Sequence, residues 1–173
     1  MAGALIAIAD ALLAQVASLG DALRARGWHL ATAESCTGGL LAGTCTAPAG
    51  ASDWFAAGFV TYANDAKTGL LGVPAALIAR HGAVSAEVAD AMARGALAHA
   101  KVQLALSVTG IAGPGGGSVA KPVGTVWLGL AWAAGSSVDS RTECLHLEGD
   151  RDAIRARTVA IALDRLLAAA RAG

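Results

Sequence analysis

The sequence predicts an α/β fold with a mixed sheet of about five strands. Helical and strand-like segments alternate over the first two thirds of the chain, a pattern typical of strands that are joined through helices. Two successive strand-like segments around Gly135 then predict an antiparallel hairpin. The length of 173 residues suits one domain over 1–173 with a single sizeable core.

The helices are marked by apolar residues at 3.6-residue spacing and by capping residues. This spacing predicts a first helix over 5–25, which Gly27 ends. Asn64, Ser85 and Asp150 are the expected N-caps of later helices. These later helices, and one that starts in a glycine turn, are predicted over 37–46, 64–72, 74–80, 86–100 and 151–171.

The strands are marked by β-branched, aromatic and other apolar residues between turn signals. They are predicted over 28–34, 54–62, 102–110, 125–134 and 140–147. The segments 48–52 and 111–124 are expected to be loops, because the second contains too many glycines for regular structure.

Composition and charge exclude several classes of protein. Lys plus Arg equals Asp plus Glu at 13 each, so no basic excess favours a nucleic-acid partner. Three cysteines without metal-type spacing indicate neither a disulfide framework nor a zinc site. The apolar N-terminus lacks a basic region, and Asp10 and Gln15 interrupt it, which predicts no membrane association and a cytoplasmic location. Only 15% of the residues are charged, which favours a surface partly covered by another subunit.

Polar, glycine-rich stretches follow three of the predicted strands, where α/β sheets gather their ligands. These stretches are 34–39, 62–67 and 109–124. In the first, Ser35 precedes a helix whose free N-terminal amides can stabilise an oxyanion. Ser35 or Thr37 can equally be a simple N-cap, and Cys36 is a rival nucleophile, so the residues alone leave these alternatives open.

The other two stretches add candidate bases and phosphate contacts. Lys67, if burial lowers its pKa, can act as a base towards a serine hydroxyl, and Tyr62 can orient or relay the proton. A solvated lysine and a tyrosine at a strand end are the alternatives. Thr109 ends a strand before a glycine-rich loop that lacks the P-loop spacing. Lys121 in that loop and Arg151 at the start of the last helix are candidate contacts for a phosphate.

Five stretches together resemble one known family. They read "TAESCTGGLLA", "GFVTYANDAKTGLLGV", "HGAVSAEVADAMARGAL", "SVTGIAGPGGGS" with "KPVGTVW", and "GDRDAIRARTV". In this order, from about residue 8 to 168, they resemble the CinA C-terminal domain family in its stand-alone form. The resemblance implies a three-layer α/β/α sandwich and a homo-oligomer.

The implied activity is that of a nicotinamide-nucleotide amidase, which recycles pyridine nucleotides by hydrolysing NMN to nicotinate mononucleotide and ammonia. It implies no metal or redox cofactor. The residues that match the family's catalytic positions are Ser35 as nucleophile, Lys67 as base, Tyr62 and Thr109. The expected substrate contacts are Thr37, Gly38, Gly39, Gly113, Gly115, Gly116, Lys121 and Arg151. The alternatives are a nucleotide-binding or regulatory module without turnover, and a hydrolase for a different amide or nucleotide.

Overall fold

The structure, a computed structural model, describes residues 10–172 and contains one five-stranded sheet. Strands β1 to β5 span Leu30–Glu34, Phe55–Val60, Leu104–Gly110, Thr125–Ala134 and Ser137–His146. Helices α1 to α6 of the described chain span Asp10–Arg26, Leu40–Thr46, Asn64–Leu71, Ala75–His81, Ala86–Ala100 and Arg151–Arg171. The first five residues of the helix predicted over 5–25 lie outside the described residues.

The sheet is mixed, in the order β2-β1-β3-β4-β5. Strand β1 pairs in parallel with both β2 and β3, whereas β4 is antiparallel to β3 and to β5. The predicted hairpin is confirmed: Gly135 turns the chain between β4 and β5 with φ of 62°. The carboxyl ends of the three parallel strands therefore meet at one edge of the sheet.

Helices cover both faces, which confirms the three-layer α/β/α architecture. Alternate residues of β3 point to opposite sides: Leu104 and Leu106 enter the core beneath α1, α2 and α6, and Ala105 enters the core beneath α3, α4 and α5. Small alanines on the second side let α5 lie close to the sheet, since less side-chain volume separates the layers. None of the helices in residues 10–172 combines the length and the low charge that crossing a bilayer requires.

Two glycines allow helix α5 and its neighbours to make backbone contact. A Cβ on Gly95 would lie 2.1 Å from the carbonyl oxygen of Leu71, the last residue of α3. A Cβ on Gly129 in β4 would lie 2.3 Å from the carbonyl oxygen of Ala89 in α5. Any larger residue would push these backbones apart, so the glycines determine how closely α3 and β4 pack against α5.

Several element ends differ from the sequence prediction for identifiable reasons. The N-caps Ser85 and Asp150 are confirmed, each accepting the amide hydrogen three residues on, at 3.3 and 2.9 Å. The prediction for Asn64 was wrong, because this residue begins α3 and Ala63 occupies the cap position. Helix α2 begins at Leu40 rather than at residue 37, since the residues after β1 form turns. Strand β1 is shorter than predicted and β5 is longer.

Candidate active site

A cavity of about 220 Å³ opens where β1, β2 and β3 end. Its walls include Ser35 after β1, Tyr62 after β2, Lys67 in the first turns of α3, Thr109 at the end of β3 and Arg151 at the start of α6. The structure thus brings together five residues that are spread over more than a hundred positions of the sequence. Parallel strand ends and helix starts meet here, as the fold class leads one to expect.

The centre of the cavity is a contact between a lysine and a serine. Lys67 Nζ lies 3.1 Å from Ser35 Oγ, 2.9 Å from the carbonyl oxygen of Thr61 and 3.2 Å from that of Tyr62. The Lys67 residue is only 1% exposed. Burial lowers the pKa of Lys67 below its ordinary value of 10.5, because the charged form loses its hydration.

The three partners of Lys67 fit both protonation states of its amine. A protonated lysine has three N–H donors, which two carbonyls and the Ser35 oxygen can accept, whereas the neutral form has two donors and one lone pair. In the neutral form, the carbonyls of Thr61 and Tyr62 take both donors, because they can only accept. The lone pair is then left for the hydroxyl of Ser35, as removal of its proton would require.

Sequence reasoning missed Glu34, the residue before the serine. Its carboxylate is 1% exposed and accepts the amide hydrogens of Gly39 at 3.1 Å, Leu41 at 3.0 Å and Ala42 at 2.8 Å. It therefore caps the N-terminus of α2 and fixes the turn that carries Ser35. The available signal was an acidic residue between a buried strand and a glycine turn that leads into a helix.

The cap by Glu34 changes which amides are free near Ser35. The amide of Gly39 donates to Glu34, and the amide of Gly38 donates to the carbonyl of Ser35 at 3.0 Å. Within residues 10–172, the amides of Cys36 and Thr37 donate to no acceptor on another residue. Of these two residues only Cys36 lines the cavity, whereas Thr37 is fully buried, so none of the predicted contacts Thr37, Gly38 and Gly39 offers a free amide there.

The rival nucleophile Cys36 lies in a less reactive environment than Ser35. Burial raises the pKa of the Cys36 thiol to about 11, so it is protonated near neutral pH. Arg155 lies behind this turn and donates to the carbonyl of Thr37 at 3.2 Å. This arginine was also missed, because only the fold brings the second turn of α6 next to the end of β1.

Tyr62 and Arg151 form the mouth of the cavity. The Tyr62 residue is 62% exposed, and its hydroxyl accepts from Arg151 Nη2 at 3.3 Å. The guanidinium of Arg151 also donates to the carbonyl of Gly113 at 2.8 Å. The side chain of Tyr62 thus contacts Arg151, and only its backbone carbonyl contacts Lys67. The hydroxyl of Thr109, which is buried, donates to the carbonyl of Ala83 at 2.8 Å.

The glycine-rich loop is only partly at the cavity. Gly113 is linked to Arg151, but Gly115 and Gly116 are exposed and line a separate open groove within the loop. The ammonium of Lys121 donates to the carbonyls of His81 at 3.0 Å and Val84 at 2.7 Å. Lys121 therefore fastens the loop to the end of α4, and the structure does not bring it to Ser35.

A serine hydroxyl within hydrogen-bond reach of a buried lysine is an arrangement that can activate a nucleophile in hydrolytic enzymes. The family model for the CinA C-terminal domain matches residues 13–170. This chain belongs to the CinA C-terminal domain family.

Relatives and solved structures agree with this assignment. A nicotinamide-nucleotide amidohydrolase PncC of Pseudomonas putida is 51% identical over 158 residues, which cover 91% of this chain and 96% of the relative. A CinA-like protein of Geobacter sulfurreducens is 60% identical over 143 residues, 83% of this chain but 34% of that longer protein. The crystal structure of competence/damage inducible protein CihA from Agrobacterium tumefaciens has a TM-score of 0.86 and 41% identity, covering 91% of this chain and 94% of that one.

Proposed function

We propose that this protein is a nicotinamide-nucleotide amidase, which hydrolyses the carboxamide of NMN to nicotinate mononucleotide and ammonia. The observation that carries the proposal is the 3.1 Å contact between Ser35 Oγ and a buried Lys67 Nζ of lowered pKa. The substrate is inferred from the Pseudomonas putida relative, which has that activity in its name and matches nearly its whole length. The match over nearly the full length of a relative named as an amidohydrolase supports an enzyme rather than a module that only binds nucleotides.

In the proposed mechanism, neutral Lys67 accepts the hydroxyl proton of Ser35 as Oγ attacks the carboxamide carbon. The carbonyl oxygen becomes an oxyanion, for which the free amide of Cys36 at the cavity wall is the proposed donor. Protonated Lys67 then gives its proton to the leaving nitrogen, and ammonia departs to leave the acyl-enzyme. Water, deprotonated by Lys67, attacks the acyl carbon, and Lys67 returns that proton to Ser35 Oγ as the carboxylic acid product leaves. The direct Lys67–Ser35 contact makes a relay through the Tyr62 hydroxyl unnecessary.

Arg151 is the proposed contact for the substrate phosphate. It stands at the mouth of the cavity, and among the described residues it donates two of its five N–H groups, to Gly113 and Tyr62. Lys121 is a weaker candidate, because its ammonium is already bound to two carbonyls. A guanidinium can hold a phosphate through two parallel hydrogen bonds, which gives both affinity and orientation.

The test is ammonia release from NMN by the purified protein, with nicotinamide riboside and nicotinamide as alternative substrates. We expect Ser35→Ala to lose turnover and Cys36→Ala, its neighbour in the same turn, to retain most of it. Circular dichroism of both variants controls for folding. A folded Ser35→Ala protein with near wild-type turnover would remove the serine from its proposed role. Tight binding of NMN by the wild type without any ammonia release would favour the non-catalytic alternative.

A homo-oligomer and a cytoplasmic location stay predictions that accompany this function. The low proportion of charged residues, 15%, motivates the first. Light scattering on the purified protein measures the oligomeric mass directly, and a monomer at micromolar concentration would contradict it.

A further inference from the structure

A second and larger cavity, of about 380 Å³, lies at the opposite end of the sheet from Ser35. Val126 of β4 pairs with Gly110 beside the first cavity, whereas Trp132 of β4 lines the second. Six residues of extended strand separate these two positions, which corresponds to about 20 Å. The second cavity is therefore a separate site and not an extension of the one that holds Ser35.

The walls of this cavity combine two indole rings with two guanidinium groups. Trp28 and Trp132 provide the rings, Arg26 and Arg141 provide the charges, and most of the remaining wall is alanine and leucine. The guanidinium carbon of Arg26 lies 3.5 Å from the centre of the Trp28 ring, and its Nη1 donates to the carbonyl of Ala170 at 3.2 Å. These two contacts hold the guanidinium of Arg26 in place.

The positive charge of this cavity is not balanced by a direct ion pair. Within residues 10–172, neither Arg26 nor Arg141 has a carboxylate within 4.0 Å. Two carboxylates neighbour Arg141 on β5. Glu143 accepts from Arg165 with both oxygens, at 2.6 and 2.7 Å, and Asp139, which pairs with Trp132 across the two strands, lies more than 4.0 Å from both arginines. Two arginines beside two aromatic faces thus retain donors for an incoming anion.

We propose that this cavity binds a planar aromatic anion, such as an aromatic carboxylate or sulfonate or a mononucleotide. The volume lies within the range of small-molecule sites. The indole of Trp132 offers a stacking surface for a flat ring, since one face of Trp28 already carries Arg26, and the arginines offer hydrogen-bonded charge for the acidic group. Neither feature alone selects this ligand class, but a flat apolar body with one anionic end uses both.

The test uses the four tryptophans as reporters in the full-length protein. Each indole Nε1–H gives one signal in a ¹H–¹⁵N correlation spectrum, assigned through single Trp→Phe variants. Trp28 and Trp132 line the cavity, whereas Trp54 and Trp127 do not. The probes are naphthalene-1-sulfonate and AMP, and the matched controls are 1-naphthylmethylamine and adenosine, which keep the ring and remove the negative charge.

We expect at least one anionic probe to move the Trp28 and Trp132 signals, with a dissociation constant below about 1 mM. Arg141→Ala should weaken this binding about tenfold or more, since one charged hydrogen bond is lost. Arg80→Ala removes the same charge from an exposed position of α4 away from the cavity, and should bind as the wild type does. Arg141 is exposed as well, so neither substitution disturbs the core.

Four outcomes overturn the proposal. In the first, neither anion moves the two signals. In the second, the uncharged or cationic control binds as tightly as the matching anion. In the third, Arg141→Ala binds the anion as tightly as the wild type does. In the fourth, the Trp28 and Trp132 signals move with protein concentration alone, which identifies the cavity as a contact between two copies of the chain.

Discussion

Replacing Glu34 by glutamine tests whether the buried carboxylate holds the Ser35 turn in place. A glutamine oxygen can occupy one carboxylate position, but its NH₂ group then faces a backbone N–H that needs an acceptor. At least one of the three hydrogen bonds to Gly39, Leu41 and Ala42 is lost. A charged hydrogen bond contributes about 1.5–3 kcal/mol, and the two that survive become neutral and weaken by about 1 kcal/mol each. We therefore expect Glu34→Gln to lower the free energy of unfolding by about 3–5 kcal/mol.

Urea unfolding followed by circular dichroism measures this loss, and ammonia release measures its effect on the site. Because Ser35 directly follows Glu34, kcat should fall more than KM rises. Glu148→Gln makes the same chemical change at an exposed position and should alter stability by less than about 0.5 kcal/mol. Glu34→Asp keeps the charge but shortens the reach, so it should recover part of the loss. A Glu34→Gln protein as stable and active as the wild type would show that the cap contributes nothing.

Three further predictions concern Lys67, Gly95 and Lys121. The lowered pKa of Lys67 means that the folded protein binds fewer protons than the unfolded chain between that pKa and 10.5. Urea unfolding of the wild type and of Lys67→Met measures the consequence. The free energy of unfolding of the wild type should rise relative to that of the variant as pH rises through this window, and a difference independent of pH would contradict a lowered pKa. The kcat/KM should rise with pH up to the lowered pKa and level off above it, and Lys67→Arg should be nearly inactive because guanidinium stays charged. Gly95→Ala should lower the free energy of unfolding by several kcal/mol, because its Cβ would lie 2.1 Å from the Leu71 carbonyl oxygen. Gly69→Ala is the control, since a Cβ there has no atom within 4 Å and should not destabilise the protein. Equal urea midpoints for the two variants would refute this prediction. Lys121→Ala should leave the preference for NMN over its riboside unchanged while Arg151→Ala reduces it, and the reverse result would return the phosphate contact to Lys121.

The sequence predicted the fold and the neighbourhood of the site because both depend on local signals. Strand ends followed by glycine-rich turns meet at one edge of a parallel sheet, so the sequence alone predicts that Ser35 and Lys67 lie close together. The roles of individual side chains within that neighbourhood depend on contacts between distant segments. Lys121 bonds to carbonyls about 40 positions earlier in the chain, and no local pattern distinguishes such a lysine from one that faces a ligand.

Glu34 illustrates a different limit of sequence reasoning. Its three partners lie five to eight residues further on, beyond the usual spacing of an N-cap and the amides that it accepts. The capping role appears only once the intervening turns place the carboxylate beneath the start of α2. The side chain of Tyr62 was likewise unpredictable, since nothing in the residues around it indicates that it turns outward to Arg151.

The amine of Lys67 is aimed by two carbonyl groups of the main chain, and every amino acid carries one. The exposed side chain at position 62 can therefore change without moving the Lys67 amine, provided that the path of the backbone is kept. An engineer who moved the serine and the lysine into another scaffold would gain little from copying the two residues alone. The bend of the chain after β2 would have to be copied as well, because its backbone carbonyls hold the amine beside Ser35.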